Sequence, residues 1–177
     1  MKRLFDIAMS LLGLVFLGWL ILGLAFAVRR NSPGPGLLAQ ERVGREGRSF
    51  LCYKLRTMYV GTAVLGTHEH AGASHITSLG RFLRRSKLDE LPQLWNVLKG
   101  EMSLVGPRPC LPVQTTLVEA RRRRGVLAIR PGITGKAQVM GVDMAEPERL
   151  AEIDAAYVTE RSFAGDLVLI LRTVTGA

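Results

Sequence analysis

The stretch LFDIAMSLLGLVFLGWLILGLAFAV, residues 4–28, is apolar apart from Asp6 and Ser10. At about 1.5 Å per residue, an α-helix of this length reaches across the hydrocarbon core of a bilayer. A cleaved signal peptide is the alternative, since Lys2 and Arg3 precede the run. The run exceeds the apolar core of about 7–15 residues that is usual for such peptides. The sequence therefore predicts a membrane-anchoring helix over residues 1–30.

The charges that flank this helix leave its topology open. Lys2 and Arg3 precede it, and Arg29 and Arg30 follow it. With basic pairs at both ends, the positive-inside rule selects neither end as cytoplasmic. Two topologies remain: a helix that spans the membrane, and a re-entrant helix that bends midway and returns to the same face.

The composition of the whole chain limits the classes of partner and of site. Lys and Arg number 24 against 15 acidic residues in 177, a net charge of +9. This excess favours an anionic partner such as phosphate, nucleic acid or a lipid surface. The two cysteines, Cys52 and Cys110, lack the spacing of a metal site or of a disulfide framework, so we expect a reducing compartment. Residues 31–177 are expected to form one membrane-associated domain.

The segments after the anchor predict a mostly helical α+β domain. SFLCYKLRTM, residues 49–58, alternates as a strand does and carries Lys54. Residues 59–80 are small, polar and rich in glycine, which predicts a mobile surface loop. We expect the histidines of this loop, His68, His70 and His75, to be solvated and not to bind a metal.

The last third of the chain contains two helical patterns and a basic run. PERLAEIDAAYVTERS, residues 147–162, is amphipathic, and FAGDLVLILRTV, residues 163–174, is apolar but too short to span a bilayer. The second piece suits either the membrane interface or the core, and the fold that we expect combines interfacial amphipathic helices with a short β hairpin. Arg121–Arg124 form a run that is either a solvated face or a surface for anionic head groups.

The stretch SKLDELPQLWN, residues 86–96, places Asp89 and Glu90 where two helices meet. A structural interpretation is a capping box in which Ser86 and Asp89 begin the second helix. A functional interpretation is a reaction centre, because a carboxylate attacks phosphorus when Arg, Lys or Mg²⁺ neutralises the phosphoryl oxygens. Nearby arginines favour an ionised Asp89 by lowering its pKa, whereas burial acts the other way.

Two turns rich in Gly and Pro present further cations. GPRP, residues 106–109, holds Arg108, and RPGITGK, residues 130–136, carries Arg130 and Lys136. A guanidinium held by a rigid turn matches two phosphate oxygens. The second turn is not a P-loop, since Arg130 stands at the first glycine position and Ala137 replaces Ser or Thr.

These motifs together carry a resemblance to a known family. KLDELPQLWNVLKGEMSLVGPRP, RPGITGKAQV, QERVGREG and YKLRTM resemble, in order along the chain, the bacterial sugar transferase family of small monotopic phosphoglycosyl transferases. The resemblance implies an enzyme of the bacterial inner membrane whose catalytic domain lies on the cytoplasmic face. Its implied reaction moves a sugar phosphate from a UDP-sugar to polyprenol phosphate, usually undecaprenyl phosphate, releases UMP, and initiates glycoconjugate assembly.

The resemblance also assigns roles to individual residues. It implies Asp89 as the nucleophile that forms a covalent phosphosugar-aspartyl intermediate, and Glu90 with Asp89 as the ligands of Mg²⁺. It implies that the residues that bind substrate and phosphate are Lys54, Arg84, Arg108, Arg130 and Asp154. It favours a re-entrant N-terminal helix, although Gly18-Trp19 stands where relatives commonly have Ser-Pro.

Two other classes of function remain beside the transferase. One is a membrane-tethered nucleic-acid binder, and the other is a non-catalytic membrane scaffold in which both acids only cap a helix. Aromatic residues make up 6% of the chain without an interleaved stacking pattern, so we do not expect nucleic acid as a partner. The expected partners are UDP-sugar, polyprenol phosphate and membrane lipids, and no oligomeric state is predicted.

Overall fold

The N-terminal segment forms one long helix. A computed structural model describes residues 1–61 and 75–176. In it, helix α1 comprises Lys2–Asn31. Its 30 residues make a rod about 45 Å long that is apolar enough to cross a membrane. The helix continues through Gly18 and Trp19, so it has no break at the position where the resemblance implied one. Which of the two predicted topologies the helix takes stays a prediction.

The rest of the described chain alternates short helices and short strands, which confirms a mostly helical α+β fold. The strands are β1 Leu37–Val43, β2 Ser49–Leu55, β3 Ser103–Val105 and β4 Gly132–Thr134. The helices are α2 Ser78–Arg85, α3 Gln93–Lys99, α4 Thr115–Arg123, α5 Lys136–Val139, α6 Pro147–Glu160 and α7 Phe163–Thr175. Single 3₁₀ turns occupy Arg45–Gly47, Leu88–Glu90 and Val126–Ala128.

Two small sheets hold the segments that carry the predicted site. Strands β1 and β2 pair antiparallel, with Leu38 opposite Lys54, which confirms the predicted hairpin. Strands β3 and β4 pair parallel. The sequence did not predict them because the Gly and Pro residues beside them, in GPRP and RPGITGK, indicate turns. This pairing requires glycine: a Cβ on Gly132 would lie 2.0 Å from the backbone nitrogen of Gly106.

Helix α1 packs against the domain along its length. Near its start, the Asp6 carboxylate accepts hydrogen bonds from Ser103 Oγ at 2.9 Å and from the Leu104 backbone nitrogen at 3.2 Å. Near its end, Val28 packs with Leu55 and Leu83. The outward face consists of exposed apolar side chains, namely Leu4, Leu11, Leu12, Val15, Phe16, Trp19, Leu22 and Phe26. The division at residue 30 into anchor and catalytic domain stays a prediction.

The C-terminal helices form the remaining core. Helix α6 buries Leu150, Ala151 and Tyr157 toward the domain, which confirms the predicted amphipathic helix. Its core cluster includes Leu117 and Ala120 of α4. Helix α7 buries only Asp166 among its residues and leaves most of its apolar side chains exposed. Its placement at a membrane interface stays a prediction.

The predicted surface loop is only partly described. His68 and His70 lie outside the described residues, and His75 is exposed. The loop prediction extended too far, because Thr77 caps helix α2 by accepting a hydrogen bond from the Gly80 backbone nitrogen at 2.9 Å.

Candidate active site

The turn between α2 and α3 carries both acids of the predicted reaction centre. Ser86 Oγ donates to the carbonyls of Phe82 and Leu83, so Ser86 ends helix α2 and does not begin α3. Lys87 then takes a left-handed conformation with φ of 57° and reverses the chain into the 3₁₀ turn Leu88–Glu90. No side chain caps this turn. The capping-box interpretation is therefore wrong, and the acids are available for another role.

Helix α3 fixes this turn against strand β2 through a buried side chain. Asn96 Oδ1 accepts from the Tyr53 backbone nitrogen at 3.0 Å, and Asn96 Nδ2 donates to the Leu51 carbonyl at 2.7 Å. The amide thus replaces a neighbouring strand at the edge of β2. This attachment holds Lys54 of β2 opposite Glu90.

Glu90 is bound by two cations through the same oxygen. Its Oε1 accepts from Lys54 Nζ at 3.1 Å and from Arg108 Nη2 at 2.6 Å. Burial alone would raise the pKa of Glu90, but the charges and hydrogen bonds of Arg108 and Lys54 lower it to about 2. Glu90 is therefore an anion at neutral pH.

Asp89 lies beside this cluster and has no hydrogen-bond or ion-pair partner for its carboxylate among the described residues. Its residue is 9% exposed, and none of the hydrogen bonds or ion pairs among residues 1–61 and 75–176 involves its carboxylate. Burial and the neighbouring Glu90 anion raise the pKa of Asp89, although Lys54, Arg84 and Arg108 oppose the change. Both opposing effects that the sequence indicated, the nearby arginines and burial, act on the pKa of Asp89, and burial is the larger. The two acids have environments that separate their protonation behaviour, which is typical of catalytic pairs.

The turn that carries Arg108 is held from behind by two buried guanidinium groups. Arg42 Nη1 donates to the Pro109 carbonyl at 3.1 Å, and Arg121 Nη1 donates to the Arg108 carbonyl at 2.8 Å. Arg121 is fixed in turn by Asp154, whose Oδ2 lies 2.7 Å from Arg121 Nη2. With its backbone held in this way, Arg108 directs its own guanidinium toward Glu90.

The structure brings together four of the seven predicted site residues: Lys54, Asp89, Glu90 and Arg108. Arg84 is near Asp89, where its charge lowers the pKa of that acid, and its Nε donates to Thr57 Oγ1 at 2.9 Å. Asp154 lies behind the Arg108 turn and is 2% exposed.

Arg130 lies apart from the two acids. Its Nε donates to the Gly100 carbonyl at 2.7 Å, at the C-terminal end of α3. The seven residues of α3, about 10 Å of helix, separate it from the turn that carries the acids. A role in substrate binding stays a prediction for each of the residues to which the sequence assigned one, namely Lys54, Arg84, Arg108, Arg130 and Asp154.

Sequence reasoning missed three residues that build the site: Arg42, Asn96 and Arg121. Arg121 is 2% exposed, although the run Arg121–Arg124 predicted a solvated or lipid-facing surface for all four residues. That prediction is wrong for Arg121, since its ion pair with Asp154 of α6 is buried, whereas Arg123 and Arg124 pair with the exposed Glu148 of the same helix. A run of identical residues gives no signal of which one is buried.

The oxygen atoms that remain at the site suit a magnesium ion. Among the described residues no group of three or more His, Cys, Asp or Glu side chains forms a dedicated metal site. Mg²⁺ is commonly held by one or two carboxylates together with substrate phosphates and water. The Asp89 carboxylate and Glu90 Oε2, which has no partner in the described part of the chain, offer this donor set.

Comparison with known proteins identifies the family. The model of the bacterial sugar transferase family matches residues 1–177, so the chain belongs to that family. The chain is 39% identical to the UDP-glucose:undecaprenyl-phosphate glucose-1-phosphate transferase of Caulobacter vibrioides, over 98% of the chain and 68% of that protein.

Two longer relatives share about the same similarity. The chain is 35% identical to the galactosyl transferase CpsE of Streptococcus agalactiae, over 98% of the chain and 41% of that protein. It is also 35% identical to the undecaprenyl-phosphate galactose phosphotransferase of Salmonella typhimurium, over 98% of the chain and 39% of that protein. The chain thus spans about two fifths of the length of these two relatives.

Proposed function

We propose that the protein is a phosphoglycosyl transferase that moves a sugar phosphate from a UDP-sugar to polyprenol phosphate and releases UMP. One observation carries the proposal: Lys54 and Arg108 hold Glu90 through one oxygen, while the adjacent Asp89 carboxylate has no partner among the described residues. The names of the relatives support the reaction class, since two of them are undecaprenyl-phosphate sugar phosphotransferases.

In the first step, an Asp89 carboxylate oxygen attacks the phosphorus that bears the sugar. A bond forms between this oxygen and phosphorus, and the bond from phosphorus to the bridging oxygen of UMP breaks. UMP leaves with the electron pair, and the sugar phosphate stays on Asp89 as an acyl phosphate. In the second step, a phosphate oxygen of the polyprenol phosphate attacks the same phosphorus and displaces the Asp89 carboxylate. The product is a polyprenol diphosphate sugar.

The surrounding cations give this chemistry its electrostatic support. Arg108 is one-third exposed at its side chain and uses Nη2 for Glu90, so its other N–H groups are available to phosphoryl oxygens. Lys54 and Arg84 add positive charge beside Asp89. These cations favour the ionised nucleophile and oppose the repulsion between a carboxylate and an anionic diphosphate.

Glu90 has a positioning and metal-binding role in the proposal. Because its pKa is about 2, it keeps Lys54 and Arg108 in place as a permanent anion. With Asp89 it would hold Mg²⁺, which when bound neutralises charge on the diphosphate. This role fits the donor oxygens at the site.

The apolar helix α1 and the family support a membrane-associated protein. We place the domain on the cytoplasmic face of the bacterial inner membrane, where UDP-sugars and the phosphate of a lipid acceptor meet. The family match favours the transferase over a nucleic-acid binder and over a scaffold.

The proposal is tested by UMP release from a panel of UDP-sugars with undecaprenyl phosphate and Mg²⁺. We expect turnover with at least one sugar, and we expect Asp89→Asn to lower the rate by about 10³-fold or more. Glu119→Gln removes an exposed carboxylate and is the control, with an unchanged rate. An Asp89→Asn variant that releases UMP at the normal rate would exclude Asp89 as the nucleophile.

A further inference from the structure

Thr57 joins the end of strand β2 to helix α2 through its backbone. It lies two residues after β2 and is 6% exposed. Its carbonyl accepts a hydrogen bond from the Thr77 backbone nitrogen at 3.1 Å. A Cβ on Gly80 would lie 2.1 Å from the same carbonyl oxygen, so α2 begins directly against this peptide group. These contacts do not depend on the side chain of Thr57.

The hydroxyl group of Thr57 has a different contact. Arg84, in the last turn of α2, donates from Nε to Thr57 Oγ1 at 2.9 Å. No other hydrogen bond of the described residues involves this oxygen. Valine has nearly the same shape as threonine and would suit a buried position, so packing does not account for the hydroxyl group. Its contact in this structure is with Arg84.

Arg84 differs from the other two cations beside the acids. Lys54 and Arg108 are both paired with Glu90. Arg84 takes part in none of the ion pairs among residues 1–61 and 75–176, and its hydrogen bond to Thr57 uses only Nε. Its terminal nitrogens, Nη1 and Nη2, are therefore available as a fork for two oxygens of one phosphoryl group.

The position of Arg84 relative to Asp89 gives this fork a use. Burial raises the pKa of Asp89, and the charge of Arg84 is among those that oppose the rise, which places the guanidinium within electrostatic reach of the carboxylate. Arg84 is also exposed, and a free arginine side chain populates many rotamers. A neutral acceptor at Nε restricts these rotamers and leaves the positive charge unpaired.

We infer that the Thr57 hydroxyl is a positioning group that holds the Arg84 guanidinium, with its terminal nitrogens ready for the phosphoryl group that is transferred to Asp89. The inference rests on the proposed function. Thr57 acts only through Arg84 in this account and touches neither the substrate nor the acids, so it is not a catalytic residue.

The contact itself is tested by NMR without any substrate. The full chain is labelled with nitrogen-15 at arginine and studied in detergent, and the Arg84→Gln variant identifies the Arg84 Nε–H signal by its loss. We expect this proton to exchange with water about tenfold faster in Thr57→Val, because its acceptor is removed. Thr57→Ser keeps the hydroxyl group and should exchange at nearly the wild-type rate.

The positioning role is tested by a double-mutant cycle on UMP release. We expect Thr57→Val to lower kcat/KM about tenfold and Thr57→Ser to restore most of it. In the Arg84→Gln background, Thr57→Val should cause no further loss, because the residue through which it acts is absent. Thr116→Val makes the same exchange at an exposed position of α4 and is the matched control, with unchanged kcat/KM.

The outcomes separate this inference from the proposed function. Faster exchange in Thr57→Val, with a loss of UMP release that vanishes in the Arg84→Gln background, would support the inference. Unchanged exchange would overturn it, and so would an equal loss in both backgrounds, since that loss would show a structural effect independent of Arg84. A wild type that releases UMP from none of the UDP-sugars would refute the proposed function, and the positioning role in transfer would fall with it even if the exchange data confirmed the contact.

Discussion

Replacing Asp154 by alanine would leave the Arg121 guanidinium buried without its anion. Both side chains of this pair are 3% exposed, and Arg121 Nη2 lies 2.7 Å from Asp154 Oδ2. Removal of one partner from a buried ion pair costs about 3–5 kcal/mol. For a chain of this size, 1 kcal/mol corresponds to about 2–4 °C in melting temperature, so we expect a decrease of about 6–20 °C.

Thermal unfolding of the full chain in detergent, followed by near-ultraviolet circular dichroism, measures this effect. Glu148→Ala is the control, because it also breaks ion pairs, with Arg123 and Arg124, but its side chain is 50% exposed. Exposed pairs contribute about 0–1 kcal/mol, so the control should melt close to the wild type.

The same variant separates two roles for Asp154. The structure places Asp154 behind the Arg108 turn, where it supports the fold, whereas the resemblance implied contact with substrate. An Asp154→Ala variant that melts like the wild type but has a raised KM for UDP-sugar would refute the structural role. Loss of stability with a lowered kcat, through a displaced Arg108, would support it.

Three further predictions concern the neighbourhood of the site. Gly132→Ala should destabilise the protein by about 1–3 kcal/mol or more, because the added Cβ would lie 2.0 Å from the backbone nitrogen of Gly106. Gly18→Ala is the control and should not destabilise it, because nothing lies within 4 Å of that Cβ position, and chemical denaturation compares the two variants. Asn96→Leu should remove both hydrogen bonds to β2 at about 1–3 kcal/mol for each unsatisfied group, and UMP release should fall because Lys54 loses its position. The pKa of Glu90 in the folded state is lowered from 4.5 to about 2, so the stability that ionised Glu90 contributes is present above about pH 4.5 and is lost toward pH 2. In acid denaturation, the difference in stability between the wild type and Glu90→Gln should therefore shrink from pH 4.5 to pH 2. A difference that stays constant over this range would contradict the low pKa.

The local patterns of the sequence predicted much of the fold. The apolar run, the alternation around Lys54 and the spacing of Leu150 and Tyr157 each depend on neighbouring residues, and α1, β2 and α6 confirm them. Strands β3 and β4 could not be predicted in this way. They pair across an intervening segment of more than 25 residues, and each has only three residues.

The site was predictable in its residue types but not in its arrangement. The acids and the Gly/Pro turns indicated phosphate chemistry, and the structure brings Lys54 and Arg108 to Glu90. The raised pKa of Asp89 depends on burial, which no local pattern shows. The burial of Arg121 within a basic run depends on Asp154, 33 residues later. The separation of Arg130 from the acids likewise depends on packing between distant segments.

The transfer of a sugar phosphate to Asp89 is tested most directly by intact mass measurement in the absence of a lipid acceptor. The purified chain is incubated with Mg²⁺ and the UDP-sugar that supports turnover, and the reaction is quenched. We expect a mass increase equal to one sugar phosphate, located on the peptide that contains Asp89. The increase should be absent from Asp89→Asn and should disappear when polyprenol phosphate is added. Full turnover by a chain that never carries this adduct would contradict it.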